Sequence, residues 1–318
     1  MEVRKVNGFF IIFVIGYIGL SVVCASIMAY AQNSGIAVPD WIQYVMSEGI
    51  ILLIAIIYMI VQKIDPIREI PYKRIGIVDV ILSLVAGYCL IPAVLLISSL
   101  SMLFSTNYLE EGTTTLLTYP FAMQVILLAV IPPLVEELIF RGIFFGSYRK
   151  AGMTGAALMS GLLFGCFHLN INQALYAFVM GIVFAYMVEA TGSLWSSVIA
   201  HFAVNTYSIG IVQILKMAGI YAQDGSVSET FENAESVAGQ STAVTVVQIA
   251  MIAVIAAVFM MLAVLCIRTM AKRHGNLEKM KIQKVKLSHI KNYFTAPVIV
   301  GLVVCVMYMI MLEFSGTL

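Results

Sequence analysis

The chain is built from apolar stretches, each about as long as a membrane-spanning helix. They run over about 9–30, 43–62, 78–104, 119–147, 154–170, 173–190, 194–216, 243–267 and 294–313. A span needs about 20 apolar residues. Water is absent from the bilayer core, so peptide groups there must bond within their own segment, as helices allow. Apolar residues make up 61% of the 318 and charged residues 11%, with mean hydropathy +0.98. A soluble domain is nearer half apolar and a quarter charged. The expectation is an all-α, polytopic transmembrane bundle of about nine spans (eight possible), forming one membrane-embedded domain over 1–318. The first run follows Arg4 and Lys5 and is long for a signal peptide. No A-x-A-like site follows it, and it reads as a retained span. The five cysteines lie in apolar runs and form no CxxC pair. They read as small buried hydrophobes.

Lysine and arginine positions predict orientation. Arg4 and Lys5 precede the first span, and Lys63, Arg68, Lys73 and Arg74 fill the 63–74 connection. Arg149 and Lys150 follow span four, and 268–291 carries eight basic residues from Arg268 to Lys291. The 31–42, 105–118 and 218–242 connections have none; the last two carry Glu110, Glu111, Asp224, Glu229, Glu232 and Glu235. The alternation predicts a cytoplasmic N-terminus and an outside C-terminus. Within the basic 268–293 loop, lysines alternate with Leu277, Met280, Ile282, Val285, Leu287 and Ile290 over 272–292. Such a segment can lie as a helix on an anionic leaflet, or it can simply flank a span. Basic residues cluster only beside apolar spans, so no nucleic-acid partner is expected.

Against this background a few polar residues fall at membrane depth, where ionisable groups are costly and mark function. Glu137 and Arg141 are four apart on one helix, a favourable Glu-to-Arg pairing. Glu136 points about 100° away, free for proton chemistry. Phe164 and His168 share a face of span five. His201 and Asn205 share a face of span seven. Taken singly, each has a plain reading: a structural ion pair, a packed histidine, an interhelical hydrogen bond. His274 and His289 sit in the basic loop and read as solvated.

Depth relates these groups. Glu136 lies 13 residues before the turn at 149–153 and His168 lies 15 after it, both roughly 20 Å deep. His201 is 7 residues into span seven, about 10 Å deep. The three meet if the four–five hairpin projects further than the six–seven turn. Pro132 and Pro133 should bend span four beside the glutamates and free backbone carbonyls. The expected result is a site at the bottom of a cleft open to the cytoplasmic side.

EExxxR, FxxxH and HxxxN, in this order on separate helices, resemble the CPBP family of CAAX prenyl endopeptidases and bacterial Abi-type proteins linked to bacteriocin processing and immunity. Gly192-Ser193-Leu194-Trp195 resembles the family's lead-in to its last motif. The resemblance covers about 119–210, the expected catalytic core. The last span and the 268–291 loop stand outside it. It implies an intramembrane glutamate-dependent endopeptidase in a bacterial cytoplasmic membrane. Glu136 would activate water and His168 would assist. His201 and Asn205 would stabilise the oxyanion, with Glu137, Arg141 and Phe164 supporting. The substrate would be a peptide or a lipidated, membrane-associated protein.

Two imidazoles and a carboxylate can also hold catalytic Zn²⁺, here Glu136, His168 and His201. The H-E-x-x-H signature is absent, and the residues suffice without a cofactor, so the metal-free site is the preferred expectation and zinc the alternative. An idle immunity or scaffold protein and a proton-coupled transporter are competing functions. A scaffold needs no base, and a transporter would show paired broken helices, whereas only the span at 132–133 is Pro-interrupted.

Overall fold

The computed structural model describes residues 3–105, 119–219, 242–285 and 287–315. The acidic residues of the 105–118 and 218–242 connections lie outside these, as do Lys286 and the side chain of His289. Nine long helices run through the described residues: α1 Val3–Asn33, α2 Trp41–Val61, α3 Ile77–Ser101, α4 Phe121–Ala151, α5 Met153–Phe167, α6 Ile171–Thr191, α7 Leu194–Met217, α8 Thr242–Arg273 and α9 Ala296–Ser315; Pro66–Glu69 and Leu287–Tyr293 form short ones. Among the described residues there is no strand.

Eight of these helices are long and apolar enough to cross a membrane. The protein is an integral membrane protein with a polytopic helical bundle. The exception is α5, whose 15 residues reach about 22 Å, short of a hydrocarbon core of about 30 Å. The stretch expected to span over 154–170 ends early because the chain reverses at its end. His168 closes α5, Leu169 adopts a left-handed φ of 56°, and the Asn170 side chain caps α6 by accepting from Gln173 N–H.

Small residues set the closest helix contacts. A Cβ on Gly161 or Gly165 would lie 2.7 Å from Phe178 O or 2.5 Å from Ala174 O, so this GxxxG face of α5 rides directly on the α6 backbone. A Cβ on Gly87 of α3 would lie 2.4 Å from Ala200 O of α7. The largest side chains fill the opposite space. Phe9 and Phe13 of α1 stack on Tyr58 and Phe167, with Phe140, Phe144 and Tyr148 of α4 completing a dry aromatic cluster. Outward apolar side chains on α1, α2, α8 and α9 remain exposed, as a lipid-facing surface requires.

The basic connections gather at one end. Leu194 N–H donates to Pro71 O at 2.8 Å, and Ser193 Oγ to Lys73 O. Arg149 pairs with Glu189 at 2.6 Å. Asn276 Nδ2 reaches Ala190 O, and Gln283 N–H reaches Thr154 Oγ1. Asn7 donates to Asn292 O and Thr295 Oγ1 and accepts from Tyr148 OH at 2.7 Å, tying the start of α1 to the chain before α9.

One local expectation changes. The 272–292 segment is not one surface helix. α8 ends at Arg273, Gly275 turns at φ 67°, a single 3₁₀ turn covers Leu277–Met280, and a separate helix covers Leu287–Tyr293. His274 is exposed, as expected, but it also has a partner. Its Nε2 lies 3.0 Å from Asp79 Oδ2 and Arg273 Nε donates to Asp79 Oδ1 at 3.2 Å, so the end of α8 is fastened to the first turn of α3. A buried carboxylate needs such partners.

Candidate active site

α4 carries the first motif and is not a regular α-helix. Val125–Val130 and Leu138–Phe145 are π-helical, on either side of an α-helical segment, Ile131–Glu137, that holds Pro132 and Pro133. Proline has no N–H, so Pro132 leaves the Leu128 carbonyl four residues earlier without its helical donor. Asn205 Nδ2 of α7 donates to that carbonyl at 2.9 Å. Wide turns around Pro-interrupted helix are common at functional sites. Here they also shorten the climb of α4, which helps its glutamates meet the shallower His201.

They do meet. Glu137 Oε1 accepts from Arg141 Nη1 at 2.8 Å, and both side chains are 0% exposed. The same oxygen accepts from His201 Nδ1 at 3.1 Å. A carboxylate at Nδ1 takes the ring proton there and turns Nε2 towards Glu136, whose Oε2 is 3.7 Å away. That separation exceeds a hydrogen bond, so neither group is occupied by the other. Glu136 Oε2 has no hydrogen-bond partner among the described residues. The sequence expectation that Glu137 and Arg141 pair is met, but the residue the pair directly holds is His201.

The aromatic residues complete the frame. The Arg141 guanidinium lies 4.2 Å from the Phe164 ring centroid and 5.2 Å from that of Phe184, a cation–π seat. Gly181 makes room for it, since a Cβ there would lie 3.1 Å from Arg141 Nη2. Phe184 stacks on His201 at 5.2 Å. Phe164 meets His201 and His168 edge-on, at 5.8 and 4.7 Å. His168 Nδ1 donates to Phe164 O at 2.8 Å, which leaves its Nε2 free. Among the described residues no group of three or more His, Cys, Asp and Glu side chains converges as metal ligands.

One residue escaped the sequence reading. Glu48, on α2, is a carboxylate outside α4 whose charge acts on Glu136. Its Oε2 is buried without a hydrogen-bond partner among the described residues. Beside it, Ser47 Oγ lies 2.9 Å from Tyr17 OH of α1, and Tyr17 senses both carboxylates. The rule that picked out Glu136, an ionisable group inside an apolar run, applies equally to Glu48.

Two cavities border residues of the motifs. The aromatic cluster of α1 and α4 fills the bundle between Glu136 and the basic end. A cavity of about 380 Å³ at that end stops at Arg141, behind the ion pair. His168 instead borders a cavity of about 430 Å³ lined by Tyr17, Ser21 and Ala25 of α1 and Tyr308 and Leu312 of α9. These residues lie in the halves of α1 and α9 remote from the basic end.

Residues 118–207 match the family described as type II CAAX prenyl endopeptidase Rce1-like. Over 88 residues, 27% of this chain, the sequence is 33% identical to a Bacillus subtilis (strain 168) protein named "Putative membrane peptidase YdiL". The match covers 36% of that protein, so the chain spans little more than a third of this curated relative. No solved structure matches the chain. The resemblance drawn from the three motifs is thus borne out over the segment that holds Glu136, Glu137, Arg141, Phe164, His168, His201 and Asn205.

Proposed function

We propose that the protein is an intramembrane endopeptidase of the CAAX type that uses Glu136 to activate water. The observation that carries the reading is His201 set between two carboxylates, with Nδ1 on Glu137 and Nε2 facing Glu136. In a purely structural cluster Glu136 would be paired like its neighbour. Here the Glu136 carboxylate is left open to incoming groups, whereas Glu137 and Arg141 hold each other.

The reaction follows from the placement. Glu136 takes a proton from water as the oxygen attacks the peptide carbonyl, and later returns it to the leaving amine. Glu137, held by Arg141, stabilises the doubly protonated His201 ring, whose Nε2–H then donates to the developing oxyanion. The second N–H of Asn205 supports the same charge while its first holds Leu128 O. His168 presents a free Nε2 from the cavity side and assists proton transfer. No metal takes part in these steps.

The substrate is a peptide or a membrane-associated protein that reaches the site through the cavity beside His168. By the positive-inside rule the basic end faces the cytoplasm of a bacterial cell. The N-terminus is then inside and the C-terminus outside. Cleavage falls within the membrane at the depth of Glu136, on the far side of the aromatic cluster from that face.

The test is product identification. Purified full-length protein and its Glu136→Gln variant are incubated with membrane fractions, and new peptide termini are sequenced. Termini formed by wild type and missing with the variant support the reading; identical sets from both refute it.

A further inference from the structure

At the basic end lies a cavity of about 550 Å³, bordered by the end of α4, the start of α5 and the segment before α9. Arg149, Lys150, Lys279 and Lys284 line it, against a single carboxylate, Glu189. Glu189 is already held by Arg149 and Lys279 bonds to Asn276. Neither Lys150 nor Lys284 has an anionic partner among the described residues.

The N-terminus of α5 opens into the same cavity. Gly152, Met153, Thr154 and Gly155 line it. Gly152 precedes the helix at φ 135° and no side chain caps it. The first N–H groups of a helix have no carbonyl one turn earlier, and with the helix dipole they favour anions. The Thr154 hydroxyl is engaged elsewhere, accepting from Gln283 N–H.

Tyr293 supplies an independent sign. Its side chain lines the cavity and is 3% exposed, yet its hydroxyl has no hydrogen-bond partner among the described residues. Burial raises the phenol above its ordinary value, so it remains a neutral O–H donor. Gly155 makes room for the Tyr293 ring, since a Cβ there would lie 2.8 Å from its Cε2 and 2.9 Å from its hydroxyl oxygen. An uncapped helix end, two unpaired lysines and an orphan hydroxyl donor thus face one volume. Each can donate a hydrogen bond to an anion.

We propose that this cavity binds an anionic phosphate group, its oxygens taking the α5 N-terminal N–H groups, Lys150, Lys284 and the Tyr293 hydroxyl. Its position at the end of the bundle puts it at the level of phospholipid headgroups. The same chemistry would accept a soluble phosphate. The site lies at the end of α5 opposite His168 and half the length of α4 from Glu136, and does not depend on the peptidase reading.

The test is a melting-temperature titration of full-length protein in neutral detergent. The probes are phosphatidylglycerol, phosphatidylcholine and inorganic phosphate, applied to wild type, Lys150→Gln/Lys284→Gln and Tyr293→Phe. Phosphatidylglycerol should raise the wild-type melting temperature saturably where phosphatidylcholine does not. The double variant should need about tenfold more of it or above, on a scale of about 1 kcal/mol per surface lysine. Tyr293→Phe, which keeps the ring, should fold normally and weaken the response. An equal response to inorganic phosphate at millimolar concentration would name a soluble ligand in the same site. No saturable shift with either anion, or equal shifts in wild type and both variants, would overturn the proposal.

Discussion

The side-chain amide of Asn205 donates to the backbone carbonyl of Leu128 at 2.9 Å. This carbonyl is the one that Pro132 deprives of its helical donor, so a helix break in α4 is mended by a side chain of α7. The bond also fixes Asn205 one turn from His201, facing the glutamates. Asn205→Ala should lower the melting temperature by the equivalent of about 1 kcal/mol, typical of such bonds in membranes. Pro132→Ala restores a backbone donor, so in that background Asn205→Ala should cost less stability while still reducing turnover. Equal costs in both backgrounds would show that the proline and the amide are not coupled.

The acidic pair divides by role. Glu136→Gln should abolish cleavage and leave the melting temperature near wild type, because Glu136 has no partner to lose. Glu137→Ala and Arg141→Ala should each lower stability as well as activity. Removing one member of a fully buried pair leaves an uncompensated charge, a cost of about 3–5 kcal/mol. Thermal scans with peptide assays of all three variants separate the roles. A stable, inactive Glu137→Ala would move that residue from holding His201 to taking part directly.

The Glu48 carboxylate acts on that of Glu136, and among the described residues its buried Oε2 has no hydrogen-bond partner. Two carboxylates close together disfavour each other's charge, whereas an amide of the same shape removes that conflict. Glu48→Gln should therefore raise the melting temperature, by a degree or more at the scale of a few degrees per kcal/mol. It should also alter the rate of cleavage. A fall in melting temperature would instead make Glu48 a needed hydrogen-bond acceptor.

Much of this architecture is legible from the chain, because bilayer length and positive charge leave direct marks on sequence. Helix positions and the gathering of basic loops follow from those marks, and four-residue spacing places Glu137 with Arg141. What is missed depends on other helices. The reversal at Leu169, which shortens α5, hides inside an apolar run. The seat of Asp79 between Arg273 and His274 joins residues almost 200 positions apart. The π-helical turns of α4 arise from packing around Pro132 and Pro133, so the depth at which Glu136 meets His201 has no local signature. Gly161 and Gly165 were readable as GxxxG, and Glu48 as a lone acid in an apolar helix.

Metal dependence is open to a direct measurement. Glu136, His168 and His201 are the candidate zinc set, and Phe164 packs edge-on against both imidazoles. Exhaustive chelation should leave peptide cleavage within about twofold of the untreated protein, a barrier change under about 0.5 kcal/mol. Elemental analysis should find less than one zinc per chain. Loss of activity on chelation, restored by zinc, would establish the metal-dependent site and move Glu136 from base to ligand.

Orientation gives the last prediction. Lys63–Arg74, Arg149–Lys150 and the 274–285 segment share one end of the bundle, tied there by Ser193 to Lys73, Arg149 to Glu189 and Gln283 to Thr154. The α1–α2 turn around Ile36 lies at the other, because α1 is 31 residues long and its start is bonded to the chain before α9. Lysine and arginine near span ends hold their side of the membrane inside. In a background lacking the five native cysteines, Lys281→Cys should resist an impermeant thiol reagent in intact cells and react after lysis. Ile36→Cys and Ser226→Cys should react in intact cells. Because the cavity at His168 lies on the Ile36 side of the aromatic cluster, this pattern also decides which compartment the peptide comes from. The reverse pattern would turn the bundle over, placing that cavity towards the cytoplasm and the lysine-rich end outside.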